Sequence, residues 1–113
     1  MCLTKDLLVR FYGVLNFSLR ALVHYRVLAA FGKPFDYFLV EEPWRVYEVL
    51  EKAVGRHNAE LVINILTDWL RKNGCNVTQD QVLRYLTARE AWILVYDFSV
   101  SHSYVAVAVG EEL

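Results

Sequence analysis

Three histidines, two cysteines and an adjacent pair of glutamates are the residues of this chain best suited to chemistry, and their spacing limits what they can do. Acid–base or nucleophilic catalysis needs groups that converge in one cleft with matched pKa values. His24, His57 and His102 are scattered, and none sits in a catalytic motif. His24 falls beside an apolar helical stripe, one turn after Arg20, and reads as a packing residue. His57 precedes Asn58 and reads as a loop residue, whereas His102, between Ser101 and Ser103, marks an accessible polar tip. Glu41 and Glu42 are neighbours, so they cannot oppose each other across a helix as a catalytic carboxylate pair would. Metal sites need converging His, Cys, Asp or Glu, and no HxH, HExxH, CxxC or EF-hand spacing occurs. The glycines stand alone at 13, 32, 55, 74 and 110, which leaves no phosphate-cradling loop. The expectation is a chain with no catalytic residues, no metal and no cofactor. Cys2 and Cys75, far apart in sequence, read as free thiols in a reducing cytoplasm.

Composition points the same way. The 113 residues suit one domain, and 56% of them are apolar against a usual ~45–50%. That excess is more apolar surface than a small monomer hides comfortably. Twelve Lys and Arg against thirteen Asp and Glu give a net charge of −1, without the basic surplus of a nucleic-acid domain. The charge is uneven along the chain: residues 1–33 carry +4 and residues 34–54 carry −3. Asp6 and Arg10 interrupt any leader-like apolar run, and no stretch approaches the ~18 residues of a membrane span, so a cytoplasmic protein is expected.

The elements that must position these residues follow from apolar spacing. Thr4 can cap a helix over about 5–31, with Leu8, Phe11, Tyr12, Leu15, Leu19, Leu22 and Val23 on one face, Asp6 pairing with Arg10, and Gly32 and Pro34 as the stop. Gly13 weakens that helix, and residues 8–15 also fit a strand; residues 36–41 are equally ambiguous. Asn16 and Asn76 open glycosylation-type triplets that serve better as turn and cap signals. Pro43 opens a helix over 43–54 that Gly55 ends, with Glu48 and Lys52 as an outward pair. Asn58 is expected to cap a helix over 58–72 that Asn73 and Gly74 close, and Thr78 with Gln81 forms a capping box for a helix over 79–88. Beyond Arg89 the residues become β-branched and aromatic, which predicts a hairpin of strands 92–98 and 104–109. The predicted class is α+β, four helices followed by a hairpin.

Two functional readings follow. The hairpin carries Trp92, Leu94, Tyr96 and Phe98 on one strand and Tyr104, Val105, Val107 and Val109 on the other, too apolar for a lone ribbon in water. It predicts a non-catalytic homodimeric interaction or ligand-sensing module whose partner is a second copy, with no membrane partner and with nucleic acid left as the less favoured partner. The alternative is a winged helix-turn-helix, in which Thr78, Gln79 and Gln81 read bases while Arg71, Lys72 and Arg84 meet phosphates. Against it stand the length of helix 58–72, Asp80 within the reading surface, and the apolar wing.

The stretch from Glu42-Pro43-Trp44 to Leu70-Arg71-Lys72, with its Val54-Gly55-Arg56-His57-Asn58-Ala59 junction, resembles small helical domains of archaeal proteins. Those domains lack an assigned activity, so the resemblance implies a helix pair and no site residues. Arg twice as frequent as Lys fits the same heat-loving source.

Overall fold

A computed structural model describes residues 2–92. Every regular element among them is helical. Helix α1 spans Lys5–Val14, α2 Phe17–Phe31 and α3 Phe35–Glu41; a 3-10 turn at Pro43–Arg45 leads into α4, Val46–Val54; α5 is Arg56–Lys72 and α6 Gln79–Tyr85. The predicted α+β class is therefore corrected: the described residues form an all-α fold without a strand. Of the predicted hairpin, only Trp92 is described, and it is helical together with residues 89–91. Ala88, Arg89 and Ala91 favour that turn. The Trp92 indole N–H donates to the Tyr85 carbonyl and its ring packs edge-on against Tyr85, centroids 5.8 Å apart, which folds the turn back on α6. Residues 93–98 and 104–109 lie outside the described residues.

The expected helix over 5–31 is two helices. Leu15 is buried in an extended conformation, and the Asn16 side chain accepts from the Leu19 N–H at 3.2 Å, capping α2. Arg20 then donates to the Gly13 carbonyl at 2.6 Å, satisfying an acceptor left open at the end of α1. Of the two ambiguous runs, 8–15 is helical up to Val14 and 36–41 is helical throughout. The Thr4 cap, the 3.5 Å Asp6–Arg10 pair and apolar spacing of three and four outweigh the local β propensity.

The α4–α5 turn also differs from expectation. Gly55 at φ 90° reverses the chain in one residue, so α5 starts at Arg56, two residues before the predicted cap. Asn58 instead donates its side-chain amide to the Val54 carbonyl at 3.0 Å, closing the end of α4. Glu48 lies 3.7 Å from Arg45 rather than pairing with Lys52. The capping box forms as expected, Thr78 and Gln81 each bonding the other's backbone N–H, although α6 ends at Tyr85.

One core cluster runs from Leu3 to Leu86. Its centre is the α4–α5 pair, where Val49, Leu50, Ala59, Ile63 and Leu70 are sealed from solvent, and α2 lies against α4 through Val23 and Val27. Buried Thr67 has its hydroxyl satisfied by the Ile63 carbonyl at 2.8 Å. Cys2 and Cys75 form a disulfide, Cα atoms 5.7 Å apart, which corrects the expectation of free thiols. A separation of 73 residues carries no sequence sign of pairing; the fold brings the segment before α1 to the α5–α6 loop, with Phe11 of α1 packed on Trp69 of α5, ring centroids 5.7 Å apart.

Candidate interaction face

Helix α2 is apolar around most of its circumference and contains no Asp or Glu. A helix of that kind belongs inside a protein. At 100° per residue, Val23 and Val27 point toward α4, and the opposite side carries Phe17, Ala21, Tyr25 and Leu28 in a stripe about 80° wide. That stripe is open: Phe17 is 73% exposed, Tyr25 69% and Leu28 41%. Val14, the last residue of α1, is exposed just ahead of it.

Beside the stripe lies an open cavity of about 350 Å³. Phe17, Arg20, Ala21, His24 and Tyr25 form its α2 wall, Tyr12 comes from α1, and Pro34 and Asp36 close it from the α2–α3 junction. Tyr12 packs edge-on against Phe35, centroids 5.0 Å apart, and burial pushes its hydroxyl pKa up to about 12, with Asp36 adding to the shift and Arg20 opposing it. The phenol therefore stays protonated at neutral pH and cannot serve as a base. His24 stacks edge-on against Tyr25, and the Arg20 guanidinium, bonded to Gly13, stands 5.9 Å from the Phe17 ring centre. Aromatic rings around a small residue, beside an Arg20 already bonded to Gly13, offer a surface suited to contact with another molecule.

A second polar cluster holds α3 to the 3-10 turn. Glu42 accepts from Arg45 at 2.8 Å and from the Tyr37 hydroxyl at 3.2 Å. The Arg45 bond is the main cause that holds the Glu42 pKa below its ordinary 4.5, and the same bond raises that of Arg45. Arg45 also lies over the Phe38 ring, 5.4 Å from its centre. Both groups have structural partners, which accounts for Glu42 without chemistry.

The residues singled out by sequence are placed as follows. Trp92 is half-buried against Tyr85 of α6, while Leu94, Tyr96, Phe98, Tyr104, Val105, Val107, Val109 and His102 lie outside the described residues. Of the base-reading set, Thr78 and Gln81 satisfy each other in the capping box, and Gln79 is half-buried. Arg71 donates to the Val77 carbonyl at 2.8 Å, which ties its side chain to the α5–α6 loop. Lys72 is exposed, and exposed Arg84 borders a separate cavity of about 320 Å³. Among the described residues no three His, Cys, Asp or Glu side chains converge as metal ligands, and no helix is long and apolar enough to cross a membrane.

Sequence reasoning missed the outer face of α2. Its signal was present in Phe17, Ala21, Tyr25 and Leu28, which recur at four, four and three. Reading one long helix with one apolar face hid it. No family model, curated protein or solved structure matches the chain.

Proposed function

We propose that this chain is a non-catalytic interaction module that pairs with a second copy of itself through the outer face of α2. The observation that carries the reading is the symmetry of the exposed stripe about Ala21. Phe17 lies four residues before it and Tyr25 four residues after it, both largely exposed. Two α2 helices crossing antiparallel at Ala21 therefore place each Phe17 beside the other copy's Tyr25. An isologous contact requires such self-complementarity, and the small side chain at its centre lets the helices approach.

Charge sets the strength. Arg20, next to the crossing point, comes near its counterpart and repels it, and a single helix face is small beside the ~800 Å² per partner of a standard interface. The association is accordingly in the micromolar range, about −8 kcal/mol. Sedimentation equilibrium tests it. The full chain should move from one to two chain masses across the micromolar range, and Tyr25→Lys should remain monomeric with unchanged helical circular dichroism. A wild-type chain that stays monomeric at high micromolar concentration overturns the reading.

A further inference from the structure

We propose that the Cys2–Cys75 disulfide is a reversible thiol-exchange site, opened by attack of a small anionic thiol on the sulfur of Cys2. Thiol–disulfide exchange needs a thiolate to approach one sulfur in line with the bond, so access decides which sulfur is attacked. The two cysteines differ sharply in exposure: Cys75 is only 3% exposed, whereas Cys2 is an exposed residue and borders the cavity of about 320 Å³. The cavity's other walls are Asn76, Val77, Gln81, Arg84 and Tyr85, and Arg84 is the one charged side chain among them in the described residues. A cationic wall beside the reachable sulfur favours a thiol that carries carboxylates and concentrates its thiolate there.

The leaving side is built to stay in place. The Cys75 N–H donates to the Leu70 carbonyl at 2.8 Å, and Arg71 holds the carbonyl of Val77, so the loop keeps its shape once the bond opens. The N-terminal segment has fewer ties: the buried Leu3 side chain, the Thr4 cap and the disulfide itself. In the step, the incoming thiolate forms a sulfur–sulfur bond to Cys2 as the Cys2–Cys75 bond breaks. The electron pair leaves on Cys75, whose thiolate then takes a proton. A second thiol equivalent attacking the mixed disulfide frees Cys2 and departs as the oxidised thiol, so two electrons pass to the protein from two thiols.

Glutathione and 2-mercaptoethanol, the second uncharged apart from its thiolate, distinguish the possibilities. The oxidised full chain is treated with each, quenched with iodoacetamide and mapped by peptide mass. The expected first product carries glutathione on Cys2 and carbamidomethyl on Cys75. Arg84→Gln, an exposed change that leaves the helical spectrum intact, should slow opening by glutathione several-fold more than opening by 2-mercaptoethanol. Glutathione found on Cys75, equal slowing of both thiols, no slowing of either, or a folded chain that glutathione does not open would each overturn the proposal. So would a chain purified without reductant that carries two free thiols.

Discussion

Helices α4 and α5 on one side and α2 on the other solve the burial of apolar residues differently. In α4 and α5 the apolar residues form single stripes, Val46, Val49, Leu50, Ala53 and Val54 against Ala59, Val62, Ile63, Leu66 and Leu70, and the chain covers both. Their charged residues, such as Arg56 with Glu60, face water. In α2 the chain covers Val23 and Val27 and leaves Phe17 and Tyr25 outside. The first pair is completed by its own molecule; the second helix has apolar surface left over for another.

The largest effect expected from breaking that contrast comes from the same kind of truncation made in each region. Ile63→Ala, at a site sealed from solvent, should cost about 4 kcal/mol in denaturant unfolding, the range for an aliphatic side chain lost from a packed core. Phe17→Ala, at dilution where copies do not meet, should stay within about 0.5 kcal/mol, because its ring covers little of its own fold. Comparable losses at both sites would abolish the distinction. Next in size is the tether of α1 to the α5–α6 loop: Cys2→Ser should lower stability by about 3 kcal/mol, read as a lower urea midpoint than the oxidised wild type.

Smaller effects sharpen the picture at the edges. Thr78→Ala removes half of the capping box of α6 and should cost about 1 kcal/mol, seen in thermal unfolding. Glu42 has its pKa depressed by the Arg45 bond, so its contribution is present above its ordinary 4.5 and is lost as pH falls through the lower folded value. Stability should therefore decline below about pH 4.5, and Glu42→Gln should flatten part of that decline. The effect is modest because both partners are partly exposed to solvent.

The parts legible in the sequence were those fixed by local chemistry. Pro43 and Gly55 bracketed the α4 segment, Thr78 with Gln81 announced α6, and Asn16 offered a cap in the middle of an apparently continuous helix. What stayed hidden depends on contacts between distant segments. The half-turn at Arg89–Trp92 is held by Tyr85, which propensity alone does not reveal, and aromatic residues after Arg89 read as strand. Cys2 meets Cys75 only because the tertiary fold, with α1 packed on α5 through Phe11 and Trp69, brings the two distant segments together. The candidate site was hidden for a third reason: apolar residues on an exposed face have the same composition as a core, and only the position of α4 shows which side of α2 is covered.

The symmetry about Ala21 is tested most directly by placing a thiol on it. If two α2 helices cross there, the paired α carbons at residue 21 fall within the ~4.4–6.8 Å that a disulfide spans. Ala21→Cys should then link two chains under mild oxidation and give a dimer on non-reducing gels. Ala30→Cys, exposed on the other side of the same helix, should leave the chains single. Cross-linking at neither position, or equally at both, would contradict the account.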